Sequence, residues 1–143
     1  PGTGKTMLAE AIKDATGNLS QAAEMMNLCD GQIELYSGND DQIVPILAMG
    51  GQGVISVLSN PAPKQTMEIC NRFFAGDVKG AAELQCMYLP LINALFCETN
   101  PIPVKAAMSA MGFCEDYLRL PLVPMEDAHR EKLLSLMKEQ GLI

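Results

Sequence analysis

Two lysines in the opening stretch "PGTGKTMLAEAIKDATGN" could do chemistry, and not the same chemistry. Gly4, Lys5 and Thr6 supply the end of a G-x-x-x-x-G-K-[ST] spacing, in which backbone N–H groups cradle phosphates, the lysine reaches the outer phosphates and the hydroxyl holds Mg²⁺. Lys13 stands in "AIKDATG", among small and apolar residues at the end of a short apolar run. Such neighbours desolvate an ammonium, and desolvation favours the neutral amine that attacks a carbonyl to form a Schiff base. The residues alone leave a second reading of each open. Lys13 can pair with Asp14 or reach from a strand end into water, and "PGTGKT" can be a loop before one helical turn with Lys5 solvated.

The phosphate reading lacks its supports. The first glycine of the spacing would precede Pro1, no apolar strand ends in the Asp-Glu pair that would hold a metal, and no arginine is placed as a finger. "PGTGKTMLAEA" resembles the Walker A segment of AAA-type ATPases over those residues and no further.

A Schiff-base lysine needs a strand to hold it and neighbouring strands to bring other groups beside it. The periodicity predicts a helix in "LSQAAEMMNLC", with Leu19, Ala22, Ala23 and Met26 on one face and Asn18 or Ser20 as its cap. "QIELYSG" reads as a strand through Ile33, Leu35 and Tyr36 that stops at Gly38. Asn39 or Asp40 can cap a helix through "DDQIVPILAMGG", with Pro45 early enough that its missing N–H costs little. "GVISVLSN", Gly53 to Asn60, is apolar without alternation, as in a parallel strand covered on both sides. Strands near Ile12, Leu35 and Ile55 separated by helices predict a parallel sheet.

Beyond Gly76 the pattern is helical throughout: "VKGAAELQCMYLPLINALF", then "PIPVKAAMSAMGF", then "EDAHREKLLSLMKEQGLI" after the extended "RLPLVP". Pro101 and Pro103 mark a helix start, and Gly112 and Gly141 mark helix ends. The fold class expected is α/β, a run of about three parallel strands followed by an all-helical C-terminal region. The division falls into residues 1–76 and 77–143.

With a net charge of −7 and no run of basic residues, the 143-residue chain is expected to bind neither nucleic acid nor anionic membrane surfaces. Cys29, Cys70, Cys86, Cys97 and Cys114 form no C-x-x-C pair, and the single His129 gives them no partner for zinc, so no metal and no disulfide are expected. Reduced thiols place the chain in the cytoplasm. His129 and Lys105 read as solvated helix positions, Asp40 and Asp41 as a helix start and the ten methionines as core filling. Pro1 suggests a piece of something longer.

From Ala11 to Ile143, "IKDATGNLSQ", "LYSGNDDQIVPILAMGGQGVISVLSNPAP", "LPLINALFCETNPIPVKAAMSAMG" and "LRLPLVPM" occur in an order and spacing that resemble the C-terminal half of the 4-hydroxy-tetrahydrodipicolinate synthase (dihydrodipicolinate synthase) family. That family is one of pyruvate-dependent class I aldolases built on (β/α)₈ barrels. "SGND" and "NPIPVK" look less like N-acetylneuraminate lyase and other keto-acid aldolases, which are the nearest alternative. The resemblance implies a lyase of lysine biosynthesis that joins pyruvate to aspartate semialdehyde, without a cofactor, as a homodimer or homotetramer. It implies that Lys13 forms the imine, that the backbone at Ile55 contacts pyruvate, and that Gly38 leaves room for substrate. The family's paired threonines, relay tyrosines and carboxylate-gripping arginine belong to segments not in this chain, where "PGTG" stands in place of Y-N-x-P-x-R-T-G. An incomplete, poorly active enzyme is therefore expected, with a non-catalytic half-barrel as the alternative. An ATPase fragment rests on the opening residues only.

Overall fold

The computed structural model describes residues 11–143, so the Gly4, Lys5 and Thr6 phosphate-loop reading lies outside the described residues. Three short strands, β1 (Ala11–Asp14), β2 (Glu34–Ser37) and β3 (Gly53–Val54), form a wholly parallel sheet in sequence order. The register pairs Lys13 with Tyr36 and Ser37 with Val54. Helix α1 (Leu19–Leu28) links β1 to β2, and a 3₁₀ turn (Asp40–Gln42) running into α2 (Ile43–Ala48) links β2 to β3. Then come α3 (Pro63–Phe74), α4 (Val78–Leu95), α5 (Ile102–Ala110) and α6 (Asp127–Glu139). The expected α/β architecture with an all-helical continuation is thus observed.

Local signals set several of the helix ends. The Asn18 side chain accepts the Ser20 and Gln21 N–H groups at 3.1 and 3.2 Å, which settles the cap of α1 on Asn18. Gly112 and Gly141, at φ 81° and 66°, take the left-handed conformation that closes α5 and α6, and Phe113 N–H then bonds Met108 O at 3.0 Å. Helix α4 keeps Pro90 in its interior, a position that costs about 3 kcal/mol, and buries Tyr88, Leu91, Ile92, Ala94 and Leu95 around it. Burial of that face holds the helix together across the missing bond.

The core has three clusters. Leu35 of β2 packs with Ala22 of α1 and Ile46 of α2, supported by Met25 and Met26; Ala23, expected on that face, is exposed. Ile43, Val44 and Leu47 of α2 pack with Ile69 of α3 and Ala81 of α4, so one apolar cluster continues across Gly76. The largest cluster joins α4, α5 and α6 to Leu58 and Ala62. Gln85 of α4 ties these parts with polar bonds: its Nε2 donates to Asp41 O at 2.7 Å and its Oε1 accepts the Val44 N–H at 2.8 Å.

Two expectations fail around β3. The strand expected over Gly53–Asn60 ends at Val54. Past it the chain turns, because Asp40 takes the Val57 and Leu58 N–H groups and Ser56 Oγ takes that of Ser59, leaving no ladder for a strand to continue. Asp40 and Asn39 correspondingly make no side-chain cap bond to a helix. Val57 and Leu58 are apolar because Leu58 enters the helical core with Val57 packed against it, not because a sheet covers them.

Candidate active site on the open sheet face

Parallel strands that rise from the same side end on the same side, and here the C-terminal ends of all three are neighbours. Gly38 N–H donates to Asp14 O at 2.6 Å and Ile55 N–H donates to Ser37 O at 2.8 Å, so the backbone just past each strand is stitched to the next. Lys13, Gly38 and Ile55, the three residues singled out by sequence, are thereby brought to one rim. A Cβ built on Gly38 would stand 2.8 Å from Lys13 Cε, 2.8 Å from Asp14 O and 2.9 Å from Ala15 Cβ. Glycine is required there by space, since a Cβ would meet the Asp14 backbone oxygen, which cannot move aside as the end of the Lys13 side chain can.

Strand alternation sorts the residues by face. Ile12 and Asp14 share one face with Leu35 and Ser37, the face that the helices cover. Lys13 and Tyr36 lie on the other, and among the described residues nothing is stacked over it. Lys13 is accordingly exposed, where its sequence neighbours suggested burial, because among the described residues β1 is an edge strand of a sheet whose second face is bare. Ile55 is 52% exposed for the same reason. The pairing of Lys13 with Asp14 does not occur: Asp14 is buried on the opposite face, where its Oδ1 accepts the Thr16 N–H at 3.0 Å. Lys13 is left with its amine in the space above the strand ends.

The rim is held from behind. Ser37 Oγ donates to Asn39 O at 2.7 Å, folding "SGND" tightly back on itself. That turn delivers Asp40 to the interior, 1% exposed, where Oδ2 accepts the Val57 and Leu58 N–H groups at 3.0 and 2.9 Å. Burial pushes the Asp40 carboxyl above its ordinary value of 3.8, with Ser56 and the Leu58 and Val57 N–H groups acting in the opposite direction. No local sequence signal marks this anchor, because the carboxylate and the N–H groups it takes stand seventeen and eighteen positions apart. Tyr36 OH, on the open face, donates to Glu34 Oε2 at 3.1 Å, and this bond with the adjacent carboxylate charge raises the phenol's pKa.

Away from the rim, His129 lies on a helix and is part-exposed, as expected, but it is also partnered. Its Nδ1 lies 2.8 Å from Glu98 Oε1 and 3.6 Å from Glu126 Oε2, and Cys97 Sγ completes a group with Glu98 and His129 whose ligand-type atoms lie within 4.8 Å of one another. The expectation that the single His129 gives the cysteines no partner is corrected by the return of α6 onto the turn after α4, which brings it to Cys97. No helix among the described residues is long and apolar enough to cross a membrane.

Comparison with known proteins fits this geometry. The chain is 51% identical over its whole length to the 4-hydroxy-tetrahydrodipicolinate synthase of Lachnoclostridium phytofermentans and spans 50% of that protein. The crystal structure of dihydrodipicolinate synthase from Thermotoga maritima superposes with a TM-score of 0.90 at 44% identity, over 94% of this chain and 46% of that one. The chloride-inhibited synthase from Acinetobacter baumannii, solved in complex with pyruvate, superposes at a TM-score of 0.86 with 39% identity, over 92% of this chain and 45% of that one. The chain therefore spans about half the length of the relatives it matches. The profile of the Dihydrodipicolinate synthetase family matches residues 6–140, and the chain belongs to that family.

Proposed function

We propose that Lys13 is the Schiff-base lysine of a 4-hydroxy-tetrahydrodipicolinate synthase-type lyase and that Gly38 and Ile55 line the pyruvate site beside it. In this reading Lys13 Nζ attacks the ketone carbon of pyruvate and water leaves, giving an imine. Loss of a methyl proton gives an enamine, whose carbon adds to the aldehyde of aspartate semialdehyde. The observation that carries the reading is the placement of Lys13, Gly38 and Ile55 at adjacent parallel strand ends, the end at which (β/α)₈ barrels conduct chemistry. Gly38 leaves the lysine its path, and Ile55 stands at the end of the third strand with its N–H donated to Ser37 O.

Residues 1–76 then contribute part of a barrel wall and residues 77–143 a helical region beyond it. The outer edges of β1 and β3 are unpaired among the described residues, and assembly as a homo-oligomer, which the resemblance implies, is part of this reading. Five free thiols suit the reducing cytoplasm. Reductive trapping with pyruvate tests the first step. Turnover with both substrates tests the second.

A further inference from the structure

We infer that Cys97, Glu98, Glu126 and His129 form a binding site for one divalent transition-metal ion of the zinc class. A thiolate, an imidazole and carboxylates are the donor set that such an ion prefers, the thiolate setting it apart from Mg²⁺ and Ca²⁺. The residues come from two places: Cys97 and Glu98 from the turn after α4, and Glu126 and His129 from the start of α6, one helical turn apart and so on one side of the helix.

The geometry is nearly closed already. The ligand-type atoms of Cys97, Glu98 and His129 lie within 4.8 Å of one another, and His129 Nδ1 is 2.8 Å from Glu98 Oε1 and 3.6 Å from Glu126 Oε2. Ligands bonded to a tetrahedral zinc at about 2.0–2.3 Å stand roughly 3.3–3.8 Å apart, so about 1 Å of side-chain movement is enough. The two segments are held in place independently of any ion, since Glu126 N–H donates to Glu98 Oε1 at 3.1 Å. Glu98 and Glu126 bring two carboxylates to the cluster, matching the formal charge of a divalent ion. Cys97 is exposed and His129 half-buried, which gives the ion a path in.

The test is titration of the metal-free, reduced chain with Zn²⁺ and, separately, with Co²⁺, whose thiolate charge-transfer absorption reports a Co–S bond. One Zn²⁺ per chain and a Co–S band are expected. Cys97→Ser should abolish the band, and His129→Ala should weaken Zn²⁺ by more than the roughly 10–100-fold typical of a residue that only supports a ligand. Cys114→Ser, the nearest exposed thiol in sequence on the C-terminal side, should change neither. Circular dichroism checks that each variant is folded; should Cys97→Ser unfold, His129→Gln is read by the same two signals. Absence of a Co–S band in the unsubstituted chain overturns the inference, as does a band that survives Cys97→Ser or disappears with Cys114→Ser.

Discussion

Asp40 Oδ2 accepts the Leu58 N–H at 2.9 Å across eighteen positions of sequence, and through Val57 at 3.0 Å it fixes the turn that follows Ile55. Removing the carboxylate strands two N–H groups, one of them fully buried, at about 1–3 kcal/mol each. Asp40→Ala is expected to lower stability by roughly 2–5 kcal/mol in urea unfolding, with Asp40→Asn costing less because one acceptor oxygen survives.

The same residue carries a pH signature. Burial holds the folded Asp40 above its ordinary 3.8, so the folded state keeps the proton to higher pH than the unfolded state does. The contribution of Asp40 is then fully present below about 3.8 and is lost as pH rises through the folded value. The stability difference between the unsubstituted chain and Asp40→Asn, measured from about pH 3 to pH 7, should fall as pH rises. A difference that is flat or grows would contradict the assigned cause.

Gly38 tests the crowding at the rim. Its hypothetical Cβ meets a backbone oxygen, Asp14 O, at 2.8 Å as well as Lys13 Cε at 2.8 Å, and the backbone contact cannot be relieved by a rotamer change. Gly38→Ala should cost about 1–3 kcal/mol and displace Lys13. Thermal melting should show the first effect, and slower borohydride trapping of pyruvate under folded conditions the second. Trapping at the unsubstituted rate would separate Gly38 from the lysine's function.

Gln85 joins α4 to α2 by bonds at both ends of its amide, to Asp41 O and from the Val44 N–H. Gln85→Leu keeps the bulk and removes both bonds, so its cost isolates the polar part, about 1–3 kcal/mol. A urea midpoint unchanged by Gln85→Leu would mean that the apolar cluster of Ile43, Val44, Leu47, Ile69 and Ala81 alone joins the two parts.

What the sequence disclosed follows from the range of the interactions involved. Elements set by local periodicity and end signals were legible: β1 and β2, α1 with its Asn18 cap, and the helices closed by Gly112 and Gly141. The placement of Lys13 at a strand end was also legible. Its exposure was not, because burial depends on what covers the strand. The end of β3 at Val54 was missed since Asp40 reaches it from outside any local window, and an apolar run cannot show whether a sheet or a helical core receives it. His129 beside Glu98 was missed likewise, thirty-one positions apart.

Lys13 as the imine-forming amine is the central claim, and covalent trapping tests it most directly. The chain is incubated with pyruvate, reduced with borohydride, digested and mapped by mass spectrometry, with Lys13→Arg in parallel. The account predicts a single reduced pyruvate adduct on Lys13 that is absent from Lys13→Arg. An adduct spread over Lys64, Lys79 and Lys105, or one undiminished in Lys13→Arg, would contradict it.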